Sequence, residues 1–411
     1  MQEKINTPRR RVLAAAGAAA AWAGMGTVAR ADSTEPAAQS NPQPVSDAKP
    51  LPDYAKWKDA NSLIVHSANT IETQRGAVGS SVITPLNRLF IRNNVSPPPA
   101  SITDNPDAWQ INIEGVRKPH AFTLAQLKDM GLQALPMVLQ CSGNGRAYFP
   151  HKPGGTQWTV GAAGCVIFTG VPIATLVEAL GGVQDGIVYM TGTGGEEIPA
   201  GLDPNSVRVE RSVPLEAMKD AILAWEVNGE PLPLAHGGPL RLIVPGYTGV
   251  NNVKYVKQLA FTKAQSPASI QQNSYRFSAV GEKGGPQHES IWEMPPKSWI
   301  TSPSSPDTSL KAGPVVIGGV AMGGMDSPSK IEVSIDGGKS WQEARFVGPD
   351  LGKYAWRQFA FTADLKPGSY NLASRTTNAA GQTQPAERAE NNRGYNNNSW
   401  QDHMVEITVT S

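Results

Sequence analysis

Short apolar segments with strand-like spacing recur along the first two thirds of the chain. Three of them are rich in β-branched residues and contain glycine or proline near one end, which predicts strands: INIEGV (111–116), GIVYMTG (186–192) and LRLIVPG (240–246). Two others have apolar residues three and four positions apart, which predicts helices: TLAQLKDM (123–130) and IATLVEALGG (173–182). The glycines that end the second helical segment predict its stop. This mixture predicts an α+β domain over residues 62–296.

From residue 297 onward the pattern changes to short strands separated by turn residues. In KIEVSIDGGKSWQEARF, Ile331, Val333 and Ile335 alternate with polar residues, and the segment DGGK that follows predicts a hairpin turn. Similar strand-like segments continue at regular intervals, which predicts an immunoglobulin-like β-sandwich over 297–411. Residues 263–296 are polar and irregular, and we interpret them as a connection between the two domains.

Composition narrows the class of protein. The 411 residues include 36 Lys and Arg against 35 Asp and Glu, a net charge of +1 that gives no reason to expect a nucleic-acid or membrane partner. Hydrophobic residues make up 40% of the chain, enough for a sizeable core. The 41 glycines and 34 prolines suit a loop-rich protein with many strands.

The N-terminus has the features of an export signal. Arg9, Arg10 and Arg11 precede an Ala- and Gly-rich apolar run, and Ala-Arg-Ala at 29–31 fits a cleavage site. The pattern resembles a twin-arginine signal over residues 1–31, which predicts export to the periplasm and a prosthetic group inserted before export. A transmembrane anchor is the alternative. Residues 32–61 are polar and Pro-rich and predict an extended arm.

The chain has only two cysteines. Cys141 and Cys165 are 24 positions apart, so their spacing does not exclude a disulfide. The sequence has no Cys-x-x-Cys-His motif for a c-type haem and no cysteine cluster for iron–sulfur or zinc. We interpret Cys165 as a small core residue.

Cys141 admits three interpretations from its neighbours alone. It could be a buried structural thiol, a nucleophile, or a thiolate ligand of a transition metal. No histidine forms a local motif with it, which weighs against the nucleophile. Gly143 and Gly145 would let a bulky cofactor approach the backbone, and Arg146 could bind an anionic substrate with its planar fork of donors.

The segment VLQCSGNGRAYF around Cys141 resembles the molybdenum-ligating segment of the sulfite oxidase family. Five further segments resemble motifs of that family in the same order: LFIRNN, ILAWEVNGEPLP, LAHGGPLRLIVPGYTGVNNVKYVK, NSYRF and NNRGYNNNSW. The resemblance covers about residues 62–410. It implies a molybdopterin-binding catalytic domain over 62–296 and a dimerisation domain over 297–411.

The resemblance also implies a set of site residues. Cys141 would ligate molybdenum, whose other ligands would be the dithiolene of one molybdopterin and oxo groups. The implied anion-binding and catalytic residues are Arg92, Arg146, Tyr275 and Arg393. The other implied cofactor-binding residues are Phe90, Asn93, Asn94, Asp203, His236, Arg241, Val253 and Lys254. Asp203 is the weaker match, because the loop around it is shorter than in the family.

One departure concerns the position two residues after Arg92, where the family has histidine and this chain has Asn94. Asparagine donates and accepts hydrogen bonds but does not titrate. We therefore expect proton handling, or even the substrate, to differ from that of typical sulfite oxidases.

The resemblance implies oxidation of sulfite to sulfate, with electrons passed to a c-type cytochrome as acceptor or tightly bound subunit. It also implies a homodimer or a heterodimer with such a subunit. Two alternatives stay open: a molybdopterin oxidoreductase of the same fold acting on another oxo-substrate such as a sulfoxide, and a non-catalytic subunit.

Overall fold

Strands carry most of the fold in the computed structural model, which describes residues 49–304 and 310–411. The predicted twin-arginine signal (1–31) and residues 32–48 of the predicted arm lie outside the described residues. Within the described part, no helix has both the length and the apolar character needed to cross a bilayer.

The N-terminal domain contains thirteen strands and four short helices. The strands are β1 (Leu63–Ser67), β2 (Thr70–Thr73), β3 (Ile91–Arg92), β4 (Gln110–Glu114), β5 (His120–Thr123), β6 (Gln133–Gln140), β7 (Ala163–Pro172), β8 (Tyr189–Gly194), β9 (Glu210–Pro214), β10 (Ile222–Val227), β11 (Glu230–Pro231), β12 (Arg241–Ile243) and β13 (Val256–Thr262). The helices are α1 (Leu124–Lys128), α2 (Ile173–Ala179), α3 (Pro204–Val207) and α4 (Ser269–Gln272).

Local sequence accounts for several of these elements. In β4, Ile111 and Ile113 are buried and Gln110, Asn112 and Glu114 are exposed, so the predicted strand is confirmed. Helix α1 begins at a capping box in which the Thr123 and Gln126 side chains bond each other's backbone N–H groups. Helix α2 ends at the predicted glycine stop, where Gly181 has a φ of 83° that side chains disfavour.

The N-terminal domain has three sheets, ordered β1-β2-β3, β11-β10-β7-β6 with β12 paired to β10, and β5-β4-β13-β8-β9. Its main core lies between the last two sheets and helices α1 and α2, and includes Ile113, Val171, Leu176, Leu242 and Leu259. Strands β6, β7 and β10 are buried along most of their length, so the residues that follow them lie in the interior.

In the described part of the C-terminal domain, all regular elements are strands. They are β14 (Lys297–Ser302), β15 (Leu310–Lys311), β16 (Gly313–Met322), β17 (Pro328–Ser334), β18 (Gln342–Glu343), β19 (Arg345–Val347), β20 (Arg357–Leu365), β21 (Gly368–Asn378) and β22 (Val405–Thr410). They form two sheets, ordered β14-β16-β20-β19 and β15-β22-β21-β17-β18, around a shared core. The predicted sandwich is confirmed, and so is the β17–β18 hairpin with its turn at Gly337 and Gly338.

Both cysteines are free and buried, so the disulfide that spacing had left open does not form. Cys165 lies in β7 with no exposed surface, in a core cluster with Val138 and Trp356. Burial raises the pKa of its thiol to about 12, which fits the predicted core role. The connection at 263–296 has helix α4 as its only helix or strand, in line with its irregular sequence.

Candidate active site

Cys141 lies immediately after β6, at the start of a tight turn. Its backbone N–H donates to the Ala162 carbonyl at 2.9 Å, and its own carbonyl accepts from the Asn144 N–H at 3.0 Å. The buried Asn144 side chain donates to Gln140 Oε1 at 3.0 Å and accepts from the Ala162 N–H at 3.2 Å. The thiol is therefore carried on a turn that both neighbouring strands hold in place.

Two adjoining cavities meet at Cys141. The first is about 720 Å³ and the second about 690 Å³, each with its mouth included. Five residues line both: Arg92, Asn94, Cys141, Ile270 and Tyr275. A metal on the Cys141 thiol would thus face two spaces, one for an organic cofactor and one for a substrate.

The first cavity collects most of the residues implied for the cofactor. Those that line it are Phe90, Asn93, Asn94, Cys141, His236, Arg241 and Lys254, together with Arg92 and Tyr275, which were predicted as anion-binding and catalytic residues. They come from β3 and the residues next to it, from the turn after β6, from β12 and the loops before and after it, and from the segment after α4. Strands of two different sheets thereby direct polar side chains into one buried space.

Three basic residues line one wall of the first cavity, His236, Arg241 and Lys254. Lys58 contacts His236 from behind this wall, and we call the four basic residues the cation cluster. Arg241 Nη1 donates to the His236 carbonyl at 2.9 Å, and Lys254 Nζ donates to the Ala235 carbonyl at 2.6 Å. Lys58 Nζ lies 3.0 Å from His236 Nε2 and donates to two carbonyls, those of Leu86 and Leu89. Lys58 comes from the segment predicted as an extended arm.

The charges of the cation cluster destabilise one another. Burial, and then the neighbouring cations, lower the pKa values of His236 and Lys254 well below their usual range. Burial lowers the pKa of Arg241 to about 10 and that of Lys58 to about 7. The Leu86 and Leu89 carbonyls accept from Lys58 Nζ, which favours its ammonium form and opposes this effect. Such a cluster is suited to bind a phosphate, so the residues present fit the phosphorylated pterin cofactor.

The second cavity is lined by three arginines from distant parts of the chain. Arg92 and Arg146 belong to the N-terminal domain, and the exposed Arg393 reaches the cavity from the C-terminal domain. None of the described residues that line it is a carboxylate. This arrangement favours a small anion next to the Cys141 thiol.

Glycines from three segments make room for the Arg146 side chain. A Cβ at Gly143 would lie 2.3 Å from Arg146 Nη2, one at Gly155 would lie 2.9 Å from Nη1, and one at Gly394 would lie 2.9 Å from Cγ. Gly143 thus makes room for the arginine, whereas the sequence had suggested that it makes room for the cofactor. Arg146 Nε donates to the Arg393 carbonyl at 2.8 Å, which ties the two domains together at the site.

Tyr275 is packed between two groups at the junction of the cavities. Its ring stacks on Tyr395 with centroids 5.1 Å apart, and its backbone N–H donates to the Tyr395 hydroxyl at 3.3 Å. The Arg211 guanidinium lies 5.5 Å from the Tyr275 ring centroid on a fully buried side chain. Tyr275 also has a φ of 52°, uncommon for a residue with a side chain, so its placement is specified by these contacts.

The asparagine run at 396–398 attaches the C-terminal domain to the Cys141 turn. The Asn396 N–H donates to the Ser142 carbonyl at 2.8 Å. Asn397 Nδ2 donates to the Gly145 carbonyl at 3.0 Å and to Asp402 Oδ2 at 2.8 Å. Both backbone contacts fall within five residues of the thiol, so the C-terminal domain shapes the turn that carries it.

Asn94 bridges two walls of the site. Its Oδ1 accepts from Arg92 Nη1 at 3.3 Å and Nη2 at 3.4 Å, and its Nδ2 donates to the Val207 carbonyl at 2.7 Å. Asparagine therefore orients the Arg92 guanidinium, a role that a histidine would fill differently because a protonated imidazole cannot accept these bonds.

Two predicted cofactor residues lie outside both cavities. Asp203 is exposed and caps helix α3, where its Oδ1 accepts from the Asn205 N–H at 3.0 Å. Val253 is fully buried in the main core beside Lys254. Their assignment to the cofactor stays a prediction.

Several lining residues escaped the sequence interpretation. Tyr395 stands two positions after Arg393 inside a segment already singled out, and Trp158 follows Arg146 in the next loop. Glu196, which lines the first cavity, follows two glycines after a predicted strand. Lys58 lines neither cavity but contacts His236, and nothing in the sequence distinguishes it from the other polar residues of its segment.

Comparisons with known proteins show which families and proteins the chain is similar to. Residues 97–270 match the family model described as oxidoreductase molybdopterin binding domain, and residues 288–410 match that of the Mo-co oxidoreductase dimerisation domain. An inducible NADH nitrate reductase of Glycine max is 29% identical over 386 residues, covering 84% of this chain and 42% of the relative. Mitochondrial sulfite oxidase of Homo sapiens is 27% identical over 384 residues, covering 85% of this chain and 68% of the relative.

A solved structure is similar over almost its whole length. The sulfane dehydrogenase SoxCD from Paracoccus pantotrophus superposes with a TM-score of 0.69 and 26% identity, covering 92% of this chain and 98% of that chain. The present chain therefore matches that chain almost end to end, but it spans only part of the nitrate reductase and sulfite oxidase relatives.

Proposed function

We infer the function from the family: the chain belongs to the sulfite oxidase family of molybdopterin oxidoreductases, and we propose that it oxidises sulfite to sulfate. The observation that carries the proposal is the second cavity. It places Arg92, Arg146 and Arg393 around the space next to the Cys141 thiol, with no carboxylate among the described lining residues. A small oxyanion of sulfur fits that charge pattern.

The first cavity would hold the cofactor. Cys141 would ligate molybdenum through its thiolate, and the cation cluster would bind the phosphate of molybdopterin. When bound, the molybdenum centre supplies oxygen-atom transfer and accepts two electrons.

The protein's own residues bind and orient the substrate. Arg146 is fixed by its glycine neighbours and by bonds to the Arg393 and Thr156 carbonyls, so its guanidinium is oriented before an anion arrives. Arg92 is oriented by Asn94, and the exposed Arg393 lies where it can attract a dianion from solvent. Tyr275 lies where both cavities meet, and its hydroxyl would donate a hydrogen bond to the substrate oxygens.

We further propose that the electrons pass to a c-type cytochrome in the periplasm. The twin-arginine-like N-terminus supports the periplasmic location. The match of 288–410 to a dimerisation domain supports a homodimer, or a heterodimer with a cytochrome subunit.

The test uses protein purified from a host that makes molybdopterin. We expect about one molybdenum per chain and sulfite-dependent reduction of cytochrome c. Nitrate and a sulfoxide, each supplied with a reduced dye, serve as competing substrates, since a nitrate reductase is among the relatives. Turnover of either without turnover of sulfite would refute the proposal, and a chain without molybdenum would indicate a non-catalytic subunit.

A second candidate is oxidation of sulfane sulfur. The near end-to-end match to a sulfane dehydrogenase favours it, and so does Asn94 in place of the family's histidine. Adding a sulfane-sulfur substrate to the same cytochrome assay separates the two, because each candidate predicts which substrate has the higher kcat/KM.

A further inference from the structure

Two stacked tyrosines beside the second cavity each have an arginine close to the ring. The Tyr275 and Tyr395 rings are inclined by 19°, with centroids 5.1 Å apart. The Cζ atom of Arg211 lies 5.5 Å from the Tyr275 ring centroid, and that of Arg146 lies 5.5 Å from the Tyr395 ring centroid. Arg146 and both tyrosines line the second cavity, whereas Arg211 lines neither cavity. Arg211 is therefore a cation next to the site that does not reach into it.

Arg211 lies in β9 and is fully buried, but only part of its guanidinium is hydrogen-bonded. Its Nε donates to Asn251 Oδ1 at 3.2 Å, and its Nη1 donates to the Ile270 carbonyl at 2.9 Å. Its Nη2 has no hydrogen-bond partner among the described residues. Because Ile270 and Tyr275 line both cavities, Arg211 contacts two residues of the site directly.

The charge of Arg211 also lacks a counter-ion among the described residues. Burial lowers its pKa to about 9, so the side chain is still a cation at neutral pH. The titratable groups that act on it are Tyr275, Tyr395 and Arg276, none of which is a carboxylate. A buried cation without a counter-ion is unfavourable in the free protein, and an anion bound nearby offsets that cost.

We propose that Arg211 is a specificity-determining residue that favours a dianion over a monoanion in the second cavity. Its charge acts across the distance to the cavity, without contact with the anion. Coulomb attraction is proportional to each charge, so a dianion gains about twice as much from Arg211 as a monoanion gains. The inference rests on the part of the proposed function that places the substrate in the second cavity.

A purely structural role for Arg211 predicts a different result. If its two hydrogen bonds only held the cavity wall in place, their loss would weaken the binding of a dianion and a monoanion alike. Arg211→Gln removes the charge, whereas Arg211→Lys keeps a charge but cannot reproduce the fork of donors. The lysine variant therefore separates the effect of charge from that of hydrogen bonding.

The experiment compares the binding of sulfate and perchlorate, two tetrahedral oxyanions that differ in charge. Holoenzyme from a host that makes molybdopterin is titrated with each anion by calorimetry at fixed ionic strength. A pH of about 6 keeps sulfate a dianion and helps a buried lysine to keep its proton. We expect wild type to bind sulfate at least about twentyfold more tightly than perchlorate. Arg146→Gln should weaken sulfate binding, which identifies the titrated site as the second cavity.

Arg211→Gln should lower the preference for sulfate about fivefold to twentyfold, and Arg211→Lys should lower it less than about threefold. Arg345→Gln, exposed on β19, is the control for loss of one charge and should match wild type. Thermal unfolding checks that each variant is folded. Arg211→Met, whose side chain tolerates burial, is measured alongside and should behave like Arg211→Gln.

An unchanged preference in the glutamine and methionine variants, or equal weakening of both anions, would overturn the inference. A lysine variant that loses as much preference as the glutamine variant would also overturn it. Sulfite turnover by a wild type that does not prefer sulfate to perchlorate would overturn this inference alone. A wild type that prefers sulfate but does not oxidise sulfite would refute the proposed function and support the dianion preference.

Discussion

The two cavities that meet at Cys141 obtain their positive charge in different ways. The cation cluster of the first cavity is buried and belongs to the N-terminal domain, with pKa values lowered mainly by burial. The arginines of the second cavity come from both domains, and Arg393 is exposed. A permanently bound cofactor can offset the cost of buried charge, whereas a substrate that comes and goes needs charge that solvent can reach.

The largest expected effect is at the point that the two cavities share. Cys141→Ser should abolish turnover of sulfite, because a serine hydroxyl does not replace a thiolate as a soft metal ligand. Cys165→Ala serves as the matched control, since Cys165 lies in the core away from both cavities. Sulfite assays and thiolate-to-metal absorption are measured on both variants. Activity in Cys141→Ser close to that of wild type would show that the thiol is not the metal ligand.

Arg146→Gln tests the second cavity alone. Loss of a charge-assisted contact to a dianion should raise KM for sulfite about tenfold to a hundredfold, with molybdenum content unchanged. Arg345→Gln, on strand β19 of the C-terminal domain, is the control for loss of one charge. Steady-state kinetics at fixed ionic strength give KM for both variants. An unchanged KM in Arg146→Gln would mean that Arg146 does not bind the anion.

Asn397→Ala tests whether the C-terminal domain shapes the metal-binding turn. The Gly145 carbonyl would lose its buried partner, so we expect a loss of about 1–3 kcal/mol in unfolding free energy. Alkylation of Cys141 in the cofactor-free protein should also become faster. Asn398→Ala should lower the unfolding free energy less than Asn397→Ala, because Asn398 Nδ2 donates to the Pro296 carbonyl over a longer distance, 3.3 Å. Equal alkylation rates in wild type and Asn397→Ala would mean that the turn after Cys141 keeps its conformation without the Asn397 contact.

Lys58→Met tests whether the pKa of Lys58, beside the first cavity, is lowered, through the pH dependence of the unfolding free energy. The pKa of Lys58 is lowered from 10.5 to about 7 by burial, so at higher pH the folded state has lost a proton that the unfolded chain keeps. The unfolding free energy of the cofactor-free protein should therefore rise with pH between these two values, and Lys58→Met should reduce that slope.

Urea unfolding at several pH values between 7 and about 10 measures the slope, with the exposed Lys56→Met as the control. An identical slope in wild type and Lys58→Met would mean that Lys58 keeps its ordinary pKa in the folded protein.

Sequence reasoning succeeded where the signal was local. The alternation in β4, the glycine stop of α2 and the β17–β18 hairpin depend on neighbouring residues, and all three follow from spacing and turn chemistry. The order of motifs also indicated which side chains would meet around Cys141.

What sequence reasoning missed depends on contacts between distant segments. Arg146 and the Arg393 carbonyl are 247 positions apart, and Lys58 and His236 are 178 positions apart. Asp203 and Glu196 lie in the same loop region, and which carboxylate points inward depends on the path of the backbone around Gly194. No local pattern encodes that path.

The most direct test of the account is one sample on which molybdenum content and sulfite-dependent cytochrome c reduction are both measured. The account predicts about one molybdenum per chain, with cytochrome reduction that depends on sulfite and falls as the cofactor is released. A chain that carries molybdenum but does not oxidise sulfite would contradict the proposed substrate. A chain that folds and carries no molybdenum would contradict the assignment of both cavities.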